Sequence, residues 1–214
     1  MQSFRNKTVM DFLTFKARMY PIGCFNINQV LLWEKDFDRN NLTRWCKKGL
    51  LVKLRNQFYA FPEYQQMPDF ARYVSNRLYS PSYISLHSAL AFYGMIPEEV
   101  VQQTCVTTLK TARFENIFGI FHYRNVKKSL YFGYEIKILQ NGKGLLFANP
   151  EKALLDLLYL NPFYNTEQDM EDLRLDDDYM LNKLDTGRLS DYLSRFGSKA
   201  LAQRTNKLLK IYDL

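Results

Sequence analysis

Asn40-Asn-Leu-Thr-Arg-Trp-Cys-Lys-Lys-Gly49-Leu-Leu-Val-Lys-Leu-Arg55-Asn-Gln57-Phe-Tyr-Ala-Phe61 changes its hydrophobic period halfway along. Up to Gly49 the pattern is helical. Leu42 and Cys46 lie four apart with Trp45 beside them, which makes an apolar face. At about 100° per residue, Asn40, Arg44 and Lys47 fall on the opposite side, with Thr43 and Lys48 at its edges. Beyond Gly49 the pattern alternates: Val52 and Leu54 point one way, Lys53 and Arg55 the other. Asn56-Gln57 supplies a tight turn, and Phe58 to Phe61 returns as a second strand before Pro62. The stretch encodes a helix followed by a hairpin.

Towards the N-terminus, residues 6–19 form a mixed apolar segment stopped by Pro21 and Gly23, which reads as a first helix. Asn26 is placed to cap a second helix, Ile27 to Trp33. The polar stretch Glu34 to Asn41 leads into the third, with Asp38 or Asn40 as candidate caps. Three helices and a hairpin within residues 1–62 is the order of a winged helix-turn-helix. In that fold the third helix enters the major groove and the hairpin lies along the DNA backbone. The expected DNA contacts are Asn40, Thr43, Arg44, Lys47 and Lys48 on the helix, with Lys53, Arg55 and Gln57 on the hairpin. Asn pairs with adenine and Arg with guanine through two hydrogen bonds each, while Lys and Thr suit phosphates.

The charge follows the same division. The chain of 214 residues has 29 Lys and Arg against 22 Asp and Glu, a net charge of +7. Residues 1–80 contain 13 basic and 6 acidic side chains, and residues 81–214 contain 16 of each, so the excess lies wholly in the first part. A basic module joined to a neutral one points to a polyanionic partner for the first. A hydrophobic content of 47% excludes a disordered chain. No apolar run approaches the roughly 18–20 residues of a membrane span, and the opening residues lack the apolar stretch and cleavage site of a secretory leader. Cys24, Cys46 and Cys105 are odd in number and far apart, which fits thiols in a reducing cytoplasm better than a disulfide frame or a zinc site. With only His87 and His122 available, a multi-histidine metal centre is not expected. The expectation is a cytoplasmic protein without metal, cofactor or membrane partner.

Residues 63–80 read as a connector, helical around Phe70 to Leu78, and Ser80-Pro81 opens a second domain over residues 81–214. Ile84 to Tyr93 reads as an apolar helix stopped by Gly94 and Pro97. Strands are expected within Val100 to Leu109, Ile120 to Arg124, Leu130 to Leu139 and Leu145 to Ala148, with turns at Asn116 to Gly119 and at 141–144. Asn149-Pro150 starts a helix, Asn as cap and Pro at the first helical position. Leucines on most of the surface of Glu151 to Leu160 make it a core helix. The acidic residues Glu167, Asp169, Glu171, Asp172 and Asp176–Asp178 read as a solvated loop, and two basic helices, 187–195 and 198–212, close the chain. The expected fold class is α+β: a winged helix-turn-helix followed by a mixed α+β domain ending in helices.

The segment Tyr83-Ile-Ser-Leu-His-Ser-Ala-Leu-Ala-Phe-Tyr-Gly-Met-Ile-Pro-Glu98 resembles the start of the core of AbiEi-type antitoxins, from the type IV abortive-infection toxin–antitoxin systems of bacteria. The likeness continues through Val106-Thr-Thr108, Arg113-Phe-Glu-Asn116 with Gly119, Tyr123-Arg124 and Phe132-Gly-Tyr134. It ends with Ala148-Asn-Pro-Glu-Lys-Ala-Leu-Leu-Asp-Leu-Leu-Tyr-Leu160. It spans roughly residues 8–212, and 83–98 and 148–160 are its most specific parts. An acidic residue is commoner in that family where this chain has His87, so no role carries over to that side chain. The resemblance implies a winged helix that binds inverted repeats in the promoter of its own operon and represses it. It further implies a second domain required for neutralising a nucleotidyltransferase-like toxin encoded beside it, without stable toxin–antitoxin binding. The oligomeric state is left open, a monomer being one option.

Two other readings stand beside this one. Glu135-Ile-Lys137 matches half of a metal-dependent nuclease site, in which carboxylates hold Mg²⁺ and Lys orients water. Glu115 or Glu98 would supply the missing upstream carboxylate. The same tripeptide also arises from ordinary strand alternation. The third reading is a regulator whose second domain senses a ligand. His87 and His122 have no Cys or Ser partner at a recognisable spacing, so no catalytic residue is assigned. Arg113, Arg124, Lys127 and Lys128 form either a second basic surface or a solvated face.

Overall fold

The computed structural model describes residues 10–98, 100–139 and 142–214. The fold is α+β. The chain divides into two compact units: one runs to Phe70 and includes Asn116–Phe118, and the other takes in Ala71–Glu115 and Gly119–Leu214. The division at Phe70 falls inside the stretch read as a connector.

In the first unit, α1 (Phe12–Met19) starts later than the expected residue 6, because Asp11 caps it. The Asp11 carboxylate accepts the Thr14 N–H at 2.9 Å and the Thr14 hydroxyl at 2.6 Å, and these bonds hold its pKa below the usual carboxylate value. Residues 6–9 of the expected helix lie outside the described residues. A 3-10 turn at Tyr20–Ile22, around Pro21, then leads into β1 (Cys24–Asn26). This strand is not legible in the sequence, since three residues are too few to display alternation. Asn26 caps α2 (Ile27–Trp33) as expected, in a reciprocal box with Gln29. There follow α3 (Asn40–Lys47), β2 (Val52–Arg55) and β3 (Phe58–Ala60). The strands make an antiparallel sheet in the order β1-β3-β2. Its core is aromatic: Phe15 has its ring centroid 4.6 Å from Trp45, 5.5 Å from Phe37 and 5.6 Å from Phe25.

The second unit is built on a six-stranded mixed sheet of β4 (Ser82–Ile84), β5 (Gln103–Thr107), β6 (Ala112–Asn116), β7 (Gly119–Asn125), β8 (Tyr134–Ile138) and β9 (Gly144–Ala148), in the order β6-β7-β5-β4-β9-β8. The helices are α4 (Phe70–Leu78), α5 (Leu86–Phe92), α6 (Pro150–Leu160), α7 (Glu167–Glu171), α8 (Asp177–Asn182), α9 (Thr186–Phe196) and α10 (Lys199–Ile211).

Several expectations are corrected here. Residues 82–84, read in part as the start of a helix, are the inner strand β4, and α5 begins only after it at Leu86, whose φ of 55° breaks the chain direction. Ala112–Asn116, to which no strand is assigned in the sequence, is a strand that runs up to the turn expected at Asn116 to Gly119, with Arg113 and Glu115 exposed between half-buried neighbours. The expected strand from Leu130 opens instead with a 3-10 turn at Lys128–Leu130, and extends only from Tyr134, past Gly133. The acidic run is not a loop. Thr166 and Asp176 cap α7 and α8, and the remaining acids fall mostly in the first turns, where the helix dipole favours them. Asn149 does sit at the cap position of α6, but its side chain donates to the Tyr192 hydroxyl at 3.0 Å instead of capping.

Helix α6 is the centre of this unit. Ala153, Leu154, Leu155, Leu157 and Leu158 are buried as expected, and so are Glu151, Lys152 and Asp156. The Asp156 carboxylate pairs with Lys152 and accepts from the Tyr83 hydroxyl at 2.9 Å and the Ser85 hydroxyl at 2.8 Å. Lys152 also donates to the Tyr83 oxygen at 2.8 Å and lies about 5 Å from the ring centroids of Phe132 and Phe196. Gly133 makes room for it: a Cβ there would meet Lys152 Cγ at 3.0 Å. Among the described residues no helix is long and apolar enough to cross a membrane.

Candidate nucleic-acid interface

The entry to α3 is fixed by Asp38. Its carboxylate accepts the Asn40 N–H at 3.0 Å, and its main-chain oxygen accepts the Asn41 N–H at 2.9 Å. Of the two candidate caps, Asp38 therefore does the work and Asn40 is already helical. The exit is a Schellman turn, with Gly49 N–H bonded to Cys46 O at 3.0 Å and Leu50 N–H to Trp45 O at 2.9 Å. Gly49 has φ of 69°, a conformation that other residues adopt only with strain.

Between these ends, Asn41, Leu42 and Trp45 are buried and Cys46 is half-buried, its thiol pKa raised by that burial. Asn40, Thr43, Arg44, Lys47 and Lys48 are all exposed. Arg44 and Lys47 lie in the last turn, where the negative end of the helix dipole stabilises cations. Lys47 and Lys48 have no ion-pair partner among the described residues. Arg44 is held: its guanidinium donates to the Asn41 side-chain oxygen and lies 3.4 Å from the Asp38 carboxylate, while its side chain stays 58% exposed. Sequence reasoning missed both Asn41, which positions Arg44, and Arg39. Arg39 is exposed one residue before the helix, four before Thr43. Extending the helical face backwards by one turn finds Arg39, and the same wheel sets Asn41, four residues before Trp45, at the edge of the apolar face and Asn40 opposite it.

The hairpin departs from strict alternation. Val52 pairs with Ala60 and Lys53 with Tyr59, but Arg55 pairs with Phe58, so Leu54 is an extra residue in a bulge. The bulge leaves Arg55 half-buried with its guanidinium 5.6 Å from the Phe58 ring centroid. Lys53 is exposed on β2, and Gln57 is exposed at the turn with φ of 61°. The unit thus presents two basic or polar surfaces, one along α3 and one at the hairpin.

The nuclease-like residues are not gathered into one site. Glu135 and Lys137 pair with each other on β8. Glu115 bonds Arg113 at 2.7 Å on β6, at the opposite edge of the sheet, and Glu98 lies 3.3 Å from Arg174. Among the described residues no group of three or more His, Cys, Asp or Glu comes together as metal ligands. Arg124 donates to Leu160 O at 2.7 Å and to the Asn161 side chain at 3.3 Å, while Lys127 and Lys128 are exposed. A hollow of about 180 Å³ is lined by His87, Thr104, His122, Arg124 and Asn161, with no carboxylate in its wall. His87 and His122 both have pKa values below the ordinary histidine value because burial disfavours their charged form.

The chain matches no protein-family model, and no curated protein matches it in sequence.

Proposed function

We propose that the first unit is a winged-helix DNA-binding module in which α3 enters the major groove and the β2–β3 hairpin follows the backbone. The observation that carries this is the order α1-β1-α2-α3-β2-β3 with the sheet arranged β1-β3-β2, leaving Asn40, Thr43, Arg44, Lys47 and Lys48 exposed opposite a buried Leu42–Trp45 face. Arg39 extends that surface. Arg44 and Asn40 are the candidates for reading base edges, and Lys47, Lys48 and Lys53 for phosphates.

On this reading the protein is an autorepressor, and its resemblance to AbiEi-type antitoxins over residues 83–98 and 148–160 supports antitoxin activity for the second unit. The test is one host carrying the operon promoter and the adjacent toxin gene. Wild-type protein should repress the promoter and relieve toxicity. Lys47→Ala/Lys48→Ala should lose repression and keep neutralisation. Loss of neither activity would contradict the assignment of α3, and absence of neutralisation by wild type would remove the antitoxin half.

A ligand-sensing regulator is the second reading, favoured by the hollow at His87, His122 and Arg124. A half-buried guanidinium with only neutral partners suits a small anion.

A further inference from the structure

Strand β8 ends the six-stranded sheet, paired on one side to β9. Its register fixes which main-chain groups are left over. Gly133 O accepts the Asn149 N–H and Leu139 N–H donates to Lys143 O, both at 2.9 Å. Antiparallel pairing alternates, so Glu135 and Lys137 also turn their main-chain groups towards β9. Those of Tyr134, Ile136 and Ile138 point away from the sheet. On the same strand Ile136 and Ile138 are 65% and 67% exposed, an apolar pair at an open edge. Glu135 and Lys137 share the other face, two residues apart.

We propose that β8 pairs antiparallel with β8 of a second copy of this chain, on a two-fold axis at Ile136. The pattern Tyr134-Glu-Ile-Lys-Ile138 is self-complementary in that register. Ile136 meets its own copy, Tyr134 meets the partner's Ile138, and Glu135 meets the partner's Lys137 at both ends. The outward main-chain groups of Tyr134, Ile136 and Ile138 are the ones this register bonds. Glu135 and the partner's Lys137 then occupy the non-hydrogen-bonded positions, where facing side chains come closest. A shift of the axis by one residue keeps the outward groups paired but sets Lys137 against Lys137 or Glu135 against Glu135, and a shift by two separates the opposite charges. Charge complementarity therefore selects this register among those that the outward main-chain groups can bond. The edge carries two protections against promiscuous pairing, a glutamate and a lysine, and a copy of itself in this register neutralises both.

The consequence for DNA rests on the function proposed above: a two-fold dimer supplies the two copies of α3 that an operator of inverted repeats requires. The dimer itself is tested without DNA. Sedimentation velocity of the full chain should show a concentration-dependent dimer. Ile136→Lys, which places like charges on the axis, should give monomer with an unchanged circular dichroism spectrum. Glu135→Lys should raise the dissociation constant by about tenfold or more through two like-charge contacts. The double variant Glu135→Lys/Lys137→Glu should restore the dimer, since the reversed pair faces its own reversed copy. A wild-type monomer at sub-millimolar concentration would overturn the proposal, as would a dimer indifferent to Ile136→Lys or a double variant no better than Glu135→Lys. Failure here leaves DNA binding by α3 untouched, because that is read from a separate titration.

Discussion

Lys152 lies fully buried one helical turn from Asp156, with Tyr83 and Ser85 completing its surroundings. Burial pushes the Asp156 carboxyl up and the Lys152 amine down; their mutual attraction opposes both shifts, and the two hydroxyls oppose that of Asp156. Such a pair is costly to break and cheap to replace whole. Lys152→Met alone or Asp156→Leu alone should destabilise the fold by about 3–5 kcal/mol, and the double variant by clearly less than either, measured by urea unfolding. Equal additive losses would mean the two groups do not act as a pair. Neither burial was legible in the sequence, where Glu151, Lys152 and Asp156 look like the charged stripe of a leucine-rich helix. Arg44 shows the opposite case, a side chain whose exposure was legible in the sequence. Its tether to Asn41 adds a refinement. Arg44→Ala should weaken operator binding by about 1–3 kcal/mol if it reads a base. Asn41→Ala, which frees the guanidinium without removing it, should cost less, as read by fluorescence anisotropy.

Helices α7 and α8 carry most of the acidic charge that looked like a solvated loop. In α7 the Thr166 side chain, together with the N–H groups of Thr166 and Asn165 that the Asp169 carboxylate accepts at 2.8 and 3.2 Å, holds the Asp169 pKa below the usual carboxylate value. A carboxylate whose folded pKa is depressed contributes stability above its unfolded pKa and loses it as the pH falls through the folded value. The thermal midpoint of Asp169→Asn should therefore fall below wild type at pH 7, and the gap should close as the pH falls below the ordinary carboxylate range and through the folded value. A gap that persists in acid would assign the effect to the amide rather than to the charge. Element boundaries were legible where a cap or a breaker marks them: Asn26 starts α2, Gly49 ends α3 and Pro150 starts α6. They were lost where tertiary pairing alone defines them. β1 and β4 have three residues each, and both exist because a neighbouring strand pairs with them. The bulge at Leu54 likewise comes from the pairing of β2 with β3, so Arg55 could not be seen turning towards Phe58.

At the scale of the whole chain, the basic excess is less confined than the first 80 residues suggest. Arg72 and Arg77 lie beyond the division at Phe70, so residues 1–70 hold 11 basic and 6 acidic side chains. Arg5 and Lys7 among them fall outside the described residues. Within the described part of the first unit, the exposed cations without an acidic partner include Lys47, Lys48 and Lys53. A protein that neutralises phosphates releases counterions, so its affinity for duplex DNA falls with salt by about 0.9 log units per phosphate contact per log unit of salt. The most direct test titrates the 214-residue chain onto a labelled promoter duplex across a range of salt, beside Lys47→Ala/Lys48→Ala/Lys53→Ala. A steep negative slope for wild type that flattens by about 2–3 in the triple variant is the expected result. Absence of binding, or a slope that the three substitutions leave unchanged, would contradict DNA recognition by α3 and its hairpin.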